Sequence, residues 1–268
     1  MIAAMIILLF LAMIYIGSVG GRVGHPGLKD LQGWSYAHRG LHSKGIPENS
    51  MAAFRAALER GYGIEFDLHL LKDGNLAVIH DSSLKRTTGA DGCIEDLTTD
   101  DLKDYHLEGT EETIPTFRQL LDLYNGRAPL IVELKPARGN HAALTEAACR
   151  MLETYNGVYC MESFDPRCVY WLKKNRPDII RGQLAENFFR SNSALSAPLK
   201  FVLSNSLSHF LTMPDFTAYK FRDRKNVSTV ICRRLYGVQG VSWTLRSKEE
   251  YDIALREGWI PIFENFTP

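Results

Sequence analysis

The sequence 63-GIEFDLHLLKDGNLAVIHD-81 contains two short apolar runs that carry acidic and imidazole side chains. In the first run every second residue is apolar, and the residues between them are Glu65, Asp67 and His69. This alternation has the period of a β-strand with one apolar and one ionisable face. Side chains at i and i+2 point the same way from a strand, so Glu65 and Asp67 can both reach one hard cation.

A turn-forming segment, residues 72–75, separates this strand from a second short strand that ends in His80-Asp81. Taken alone, the stretch leaves two interpretations open. The two strands could form an antiparallel hairpin whose ionisable face is solvated, or they could contribute ligands to a buried metal site. The rest of the chain has to decide between them.

The chain begins with an apolar run in which no charged side chain precedes Arg22. About 20 such residues are enough for a helix to cross a ~30 Å hydrocarbon core. A secretory signal normally has a positive start, which is missing here, so the sequence predicts a transmembrane anchor over residues 1–21 and a linker over 22–33. Arg22 and Lys29 follow the span, so the positive-inside rule predicts a single-pass membrane protein with a cytoplasmic catalytic domain.

The composition excludes several classes of partner and site. The chain has 31 basic and 31 acidic side chains, so no global basic field indicates binding of nucleic acid. Its five cysteines are dispersed without a C-x-x-C pair. That pattern argues against a disulfide framework and against a zinc knuckle.

Strands and helices alternate along residues 34–268, which is typical of an α/β protein with a parallel sheet. The predicted strands begin near residues 34, 63, 76, 130, 158, 179, 238 and 259. Eight such strands in a chain of this length predict a TIM (β/α)₈ barrel. The alternation stops over residues 82–114, which are predicted to form a small insertion on one rim. Residues 186–226 are the least regular and could form a lid or a surface that faces the anchor.

Catalytic groups of such barrels lie at the C-terminal ends of the strands. The predicted strand ends supply His38, Arg39, Glu65, Asp67, His80, Glu133 and Lys135. The three carboxylates make a site for Ca²⁺ or Mg²⁺, and the two histidines can serve as general acid and base. The arginine and the lysine are cationic donors for a phosphate. Together these groups meet the requirements of phosphodiester cleavage.

The chain resembles the glycerophosphodiester phosphodiesterase family in eight short motifs that occur in the family's order and in a WT pair that fits a later strand. They are AHRG (37–40), PENS (47–50), EFD (65–67), HD (80–81), RTTG (86–89), IPT (114–116), ELK (133–135), SFDP (163–166) and WT (243–244). The resemblance implies a TIM barrel with an insertion, and hydrolysis of glycerophosphodiesters to glycerol 3-phosphate and an alcohol. It also implies that the two strands of residues 63–81 are parallel neighbours in the barrel, although their link is short for a crossover.

The resemblance also implies a role for each site residue. Glu65, Asp67 and Glu133 would be the metal ligands. His38 and His80 would be the acid/base pair, and Arg39 and Lys135 would bind the phosphate. Trp243 would form either a wall of the substrate site or part of the barrel core.

Other features leave alternatives open. The segment 258-GWIPIFENF-266 differs from the glycine-rich GxDGIITN-like last strand of the family, so the wall formed by residues 259–266 is not determined. The attacking group is either water or the glycerol 2-hydroxyl. The predicted anchor and the aromatic-rich residues 188–221 suggest a lysophospholipase D that acts on lysolipids at a membrane. An inactive membrane-tethered binding module would have lost a ligand or a histidine, and none is lost.

Overall fold

A computed structural model describes residues 1–191 and 193–268. Its strands are β1 (Tyr36–His38), β2 (Gly63–Leu70), β3 (Leu76–Val78), β4 (Leu130–Leu134), β5 (Tyr159–Ser163), β6 (Arg181–Ala185), β7 (Phe216–Lys220), β8 (Gln239–Leu245) and β9 (Trp259–Phe263). Its α-helices are α1 (Ile2–Ser18), α2 (Met51–Glu59), α3 (Lys85–Thr88), α4 (Phe117–Tyr124), α5 (His141–Leu152), α6 (Pro166–Asn175), α7 (Ala197–Ser204), α8 (His209–Thr212), α9 (Val227–Arg234) and α10 (Lys248–Arg256). Short 3₁₀ helices cover Pro26–Leu31, Ile94–Asp96, Thr99–Asp104 and Phe221–Asp223.

Eight of these strands form a closed parallel barrel. The order around it is β1, β2, β4, β5, β6, β7, β8 and β9, and β9 pairs with β1 to close the ring. Helices lie between successive strands, as right-handed crossover connections require. The predicted TIM barrel is therefore confirmed.

The strand membership differs from the prediction at two places. β3 pairs antiparallel with β2, with Leu68 opposite Val78, while the next barrel strand beside β2 is β4. The prediction of two parallel neighbours over residues 63–81 is wrong, because a five-residue connection is too short for a crossover and can only close a hairpin. The eighth barrel strand is β7, which lies inside the irregular segment 186–226.

The alternation of side chains along the strands explains how the barrel is filled. Ile131 and Cys160 belong to the buried apolar cluster that fills the barrel together with Phe216 and Val241. On β4 and β5 the residues next to these inward positions, Leu130, Val132 and Met161, point the other way and belong to the larger outer core. Two residues further along each of β4 and β5, the inward position changes from an apolar residue to a glutamate. The polar site therefore begins where the apolar filling ends.

The β2–β3 hairpin and the insertion form one unit on the C-terminal rim. Leu71, Ile79, Ile94 and Leu102 belong to a buried cluster that is separate from the two clusters of the barrel. The Ile79 amide donates to the Asp67 carbonyl at 3.1 Å, which holds the end of the hairpin against the barrel strand. This contact brings the residue after it, His80, back over the rim.

The N-terminal helix α1 contradicts the predicted membrane location. α1 has 17 residues, and at ~1.5 Å per residue it is about 26 Å long, less than a ~30 Å hydrocarbon core. Among residues 1–191 and 193–268, no helix combines the length and the apolar character that crossing a membrane requires. The predicted transmembrane helix over residues 1–21 is therefore wrong, and so is the predicted single-pass membrane location with a cytoplasmic domain.

The chain that follows α1 lies against the N-terminal ends of the barrel strands. The Arg22 guanidinium donates to both carboxylate oxygens of buried Asp215, which precedes β7. Leu31, inside the predicted linker 22–33, is buried in the cluster that fills the barrel, and its carbonyl accepts from the Tyr36 hydroxyl at 2.9 Å. This segment therefore packs as part of the folded unit.

His209, which contacts the segment after α1, predicts that the stability of the fold depends on pH. The side chain is fully buried with Nδ1 at 3.4 Å from the Val19 carbonyl, and burial lowers its pKa from 6.5 to about 4. Because the unfolded chain takes up a proton near pH 6.5 and the folded chain does not, stability falls as the pH drops below 6.5. Between pH 7.5 and 5 we expect His209 to account for a loss of about 2 kcal/mol.

Urea unfolding of the wild-type chain and of His209→Gln at both pH values measures this contribution. The variant should lose less stability than the wild type over that interval. Equal losses in the two proteins would contradict the prediction.

Candidate active site

The predicted site residues come together in a small cavity at the C-terminal rim of the barrel. The cavity has a volume of about 40 Å³ and its polar lining consists of His38, Arg39, Glu65, His80, Glu133, Lys135 and Glu162. Phe164 and Trp243 form an apolar side of it. Asp67 lies directly beside it, because its Oδ1 is 3.2 Å from the Nζ of Lys135. All eight residues predicted from the sequence are therefore neighbours in space.

Three carboxylates form the acidic part of this site. Glu65, Asp67 and Glu133 are each at most 6% exposed, and one oxygen of each lies within 4.8 Å of the other two. The parallel pairing of β2 and β4 puts Asp67 beside Glu133, and Glu65 shares the inward face of β2 two residues earlier. The barrel register thus produces the cluster.

The pKa shifts in this cluster have two causes, which are burial and the mutual repulsion of the carboxylates. Burial and the neighbouring carboxylates Asp67 and Glu133 raise the pKa of Glu65 well above its usual value. Burial raises the pKa of Glu133 to about 7, although Lys135 opposes the shift. Burial also favours protonation of Asp67, but Lys135, His80 and Arg39 outweigh it and hold the pKa of Asp67 well below the usual range.

The donor set could hold a metal ion. Glu162, the neighbour of Glu133 on β5, adds a fourth buried carboxylate, while Lys135 and Arg39 are the two permanent cations of the cavity. When all four carboxylates are ionised, they exceed these two cations by two negative charges, which is the charge that one divalent cation neutralises. Within the described residues, Asp67 Oδ1, Glu133 Oε1 and Glu162 Oε2 accept no hydrogen bond in good geometry. Asp67 Oδ1 and Glu133 Oε1 lie 3.2 and 2.7 Å from the Lys135 ammonium. Buried carboxylate oxygens of this kind are suitable ligands for a hard cation.

His80 has one ring nitrogen engaged and one directed at the site. Its Nδ1 lies 2.6 Å from Asp81 Oδ1, which leaves Nε2 for the cavity that the side chain lines. Burial lowers the pKa of His80 to about 4, so the neutral ring with a proton on Nδ1 predominates at neutral pH. The main chain of His80 is also held in place. Buried His69 has its Nε2 at 3.1 Å from the His80 carbonyl and its Nδ1 at 2.7 Å from Glu95 Oε1 in the insertion.

His38, which also lines the cavity, repeats this arrangement. Its Nδ1 lies 3.3 Å from Glu264 Oε1, and its Nε2 lies 3.8 Å from Glu65 Oε2. Burial lowers the pKa of His38, against the opposing effect of Glu264. Each histidine thus has Nδ1 beside a carboxylate and Nε2 free to exchange a proton in the site.

A chain of ion pairs connects Arg39 to His80. Arg39 Nη1 donates to Glu48 Oε1 at 2.9 Å, and the same oxygen accepts from Arg86 Nη2 at 2.6 Å. Arg86 also donates to Asp81, which holds the ring of His80. Glu48 of the PENS motif therefore holds the Arg39 side chain, and Arg86 of the RTTG motif holds Asp81, which contacts the His80 ring.

The sequence analysis assigned no role in the site to Asp81, Glu162 or Glu264. Glu264 directly follows β9, so the strand-end rule that selected Glu133 and Lys135 would also have selected it. Asp81 was quoted as part of a motif without a role of its own. Trp243 lies in the cavity wall, where its ring contacts Phe164 edge to face at 5.4 Å between centroids.

Glu264 provides a direct test of how His38 is held. It also accepts from Arg246 at 3.0 Å and lies 3.3 Å from His42 Nε2, so the carboxylate is fixed from three sides. If it orients His38, Glu264→Ala should lower kcat about 10-fold with little change in KM, because a misplaced acid/base group affects the transition state more than binding.

Glu264→Gln keeps an acceptor oxygen and should lose less activity than Glu264→Ala. Glu249→Ala, at an exposed position on α10, is the matched control. Steady-state measurement of kcat and KM for the three variants tests whether Glu264 orients His38. An unchanged kcat in Glu264→Ala would exclude this role.

The fold and the acidic rim place the chain among TIM-barrel proteins with a potential metal centre. The sequence profile of the glycerophosphoryl diester phosphodiesterase family matches residues 38–267, and the chain belongs to that family. The glycerophosphodiester phosphodiesterase of Caldanaerobacter subterraneus is 38% identical over 158 residues, which cover 55% of this chain and 65% of that protein. The enzyme of the same name from Bacillus altitudinis is 37% identical over 129 residues, 45% of this chain and 52% of that protein. The chain thus matches less than two thirds of the length of either relative.

Solved structures show the same fold over nearly the whole chain. A phosphodiesterase from Oleispira antarctica superposes with a TM-score of 0.72 at 23% identity and covers 88% of this chain and 94% of its own. A structure from Silicibacter pomeroyi superposes with a TM-score of 0.70 at 22% identity and covers 90% and 94%. These structures confirm the fold, and the match of the family profile confirms the resemblance found in the sequence motifs.

Proposed function

We propose that the protein is a phosphoric diester hydrolase that converts glycerophosphodiesters to glycerol 3-phosphate and an alcohol with the help of a divalent cation, Ca²⁺ or Mg²⁺. The observation that carries the proposal is the cavity that joins three buried carboxylates, two cationic side chains and two carboxylate-paired histidines. Family membership supports it. So does the Oleispira antarctica structure, which contains the product sn-glycerol-3-phosphate.

Glu65, Asp67 and Glu133 would hold the cation. When bound, it would withdraw charge from a phosphate oxygen and make phosphorus more open to attack. Arg39 and Lys135 would bind the phosphate oxygens from the same rim. Burial disfavours the charge on Lys135, but Glu133 and Asp67 outweigh this and raise its pKa, so the lysine stays protonated.

The two histidines divide the proton transfers. The ring that acts as base is neutral, and its Nε2 accepts the proton of the attacking hydroxyl while oxygen bonds to phosphorus. The ring that acts as acid enters the reaction doubly protonated, and its Nε2 gives up a proton as the bond from phosphorus to the leaving alkoxide breaks. Asp81 and Glu264 stabilise each ring when it carries the extra proton, since both carboxylates lie beside Nδ1. The overall reaction consumes one water and yields a phosphomonoester and an alcohol.

The test is hydrolysis of glycerophosphocholine in the presence of Mg²⁺ or Ca²⁺, with identification of both products. The proposal expects glycerol 3-phosphate and choline. Release of glycerol and phosphocholine, or no hydrolysis of any glycerophosphodiester, would contradict it. Phosphorus NMR of the time course also separates the two nucleophiles, because attack by the 2-hydroxyl gives a cyclic phosphate that appears and then decays.

A further inference from the structure

Another group of metal-ligating side chains lies at the edge of the candidate active site. It consists of His38, His42 and Glu264, and one ligand atom of each lies within 4.8 Å of the other two. We call it the His38–His42–Glu264 cluster. His38 lines the catalytic cavity, whereas His42 and Glu264 line a neighbouring cavity of about 430 Å³. The cluster therefore lies where the two spaces meet, and the larger space gives an ion a path to it.

The backbone explains why these three side chains meet. β1 and β9 are parallel neighbours, and His38 is the last residue of β1 while Glu264 directly follows β9. Arg39 and Gly40 have positive φ angles of 55° and 80°, so the chain turns sharply after β1. This turn brings His42 back beside Glu264. The cluster is thus built on two strand ends and one tight turn.

The distances in the cluster fit a tetrahedral metal ion. Glu264 Oε1 lies 3.3 Å from His38 Nδ1 and 3.3 Å from His42 Nε2. Around a tetrahedral Zn²⁺ with bonds of ~2.0–2.1 Å to nitrogen and oxygen, neighbouring ligand atoms are about 3.3–3.4 Å apart. The other oxygen of Glu264 accepts from Arg246 at 3.0 Å, the kind of hydrogen bond that orients a metal-bound carboxylate.

His42 supplies a second observation. Its Nε2 is buried and has no hydrogen-bond partner within residues 1–191 and 193–268. A buried polar atom is normally paired, so this nitrogen lacks a contact that a metal ion would provide.

The donor atoms indicate which ion fits. Ca²⁺ and Mg²⁺ prefer oxygen ligands, as in the cluster of three carboxylates, whereas two imidazoles and one carboxylate suit Zn²⁺ and similar transition metals. Three protein ligands and one position left for water are a common arrangement around Zn²⁺. The two clusters therefore select different ions.

We propose that the His38–His42–Glu264 cluster is an inhibitory Zn²⁺ site. His38 Nδ1 gives its lone pair to the ion, so the single proton of the ring lies on Nε2. That nitrogen can then neither accept the proton of the attacking hydroxyl nor belong to the doubly protonated ring that acts as an acid. The inhibition rests on the proposed function, whereas the binding of Zn²⁺ does not.

Absorption spectroscopy with Co²⁺ tests the site without turnover, because four-coordinate Co²⁺ has intense visible bands that six-coordinate Co²⁺ lacks. In excess Mg²⁺, we expect these bands in the wild-type chain and their loss on addition of Zn²⁺. Glu133→Gln, which changes the carboxylate cluster, should keep them. His42→Ala should lose them, and so should His42→Gln, which keeps a polar side chain of similar length. His106→Ala, at an exposed histidine, is the matched control and should keep them.

Hydrolysis of glycerophosphocholine in excess Mg²⁺ tests the inhibition. Saturating Zn²⁺ should lower turnover of the wild-type chain at least about 100-fold, which is the contribution expected of one acid/base group. With each variant compared with its own rate without Zn²⁺, the half-inhibitory concentration should rise at least about 10-fold in His42→Ala and His42→Gln. His106→Ala should remain as sensitive as the wild type.

The outcomes separate the ion site from the reaction. Absence of the Co²⁺ bands in the wild-type chain, or their persistence in both His42 variants, would overturn the site. Bands as expected with full turnover in saturating Zn²⁺, or equal half-inhibitory concentrations in all the chains, would overturn the inhibition. A chain that shows the bands and hydrolyses no glycerophosphodiester would overturn the proposed function and the inhibition, while the bands would still support the Zn²⁺ site.

Discussion

His80→Ala is expected to lower kcat for glycerophosphocholine about 1,000-fold, within the range that general acid–base catalysis contributes. The physical reason is that the imidazole has its Nδ1 fixed by Asp81 and only Nε2 available to the substrate. Removing the ring removes the proton transfer but leaves the carboxylate cluster and the cationic side chains in place. KM should therefore change much less than kcat.

Stopped or coupled assays of glycerol 3-phosphate release measure this effect. His106→Ala is the matched control, because His106 is an exposed histidine of the same insertion and its ring lies 3.0 Å from the Thr110 carbonyl, away from the cavity lining. A His80→Ala enzyme with near-normal turnover would show that the acid/base assignment is wrong.

Removal of divalent cations is expected to reduce the activity at least about 100-fold, and addition of Mg²⁺ or Ca²⁺ should restore it. Glu133→Gln should lower the affinity for the cation by a similar factor, because the neutral amide replaces one of three charged ligands. Isothermal titration calorimetry of the EDTA-treated chain checks the binding without depending on turnover.

Glu146→Gln is the control for this experiment, since Glu146 is an exposed glutamate on α5 that pairs with Arg150. One binding site in the wild type and in Glu146→Gln, together with its loss in Glu133→Gln, is the expected pattern. Full activity after exhaustive treatment with EDTA would contradict the assignment of the acidic cluster.

The barrel and the candidate site were readable from the sequence because both leave strong local signals. A parallel strand buried on both faces is normally apolar, so the charged residues Glu65, Asp67 and Glu133 were conspicuous. Their position at strand ends then predicted that they meet on one rim, and the structure brings them together. The same reasoning predicted the positions of His38 and Lys135.

Other features depended on pairings that the residue pattern does not encode. β3 has the alternation of a barrel strand, and only the short connection before it indicates a hairpin. β7 lies in a segment without clear periodicity, and its place in the sheet follows from its neighbours β6 and β8. The apolar run at the N-terminus suggested a membrane span, but the helix ends at Ser18 and the next residues turn onto the barrel.

The hairpin has a consequence for how the protein loses activity. His80 belongs to a unit with its own apolar cluster, whereas the carboxylates belong to the barrel. Local opening of proteins occurs in such cooperative units, with free energies below that of global unfolding. Partial opening of the rim unit would withdraw one proton-transfer group while the barrel stays folded and keeps its carboxylates together. The proposed catalytic centre is thus assembled from two parts, and the less stable part determines how long the centre stays intact.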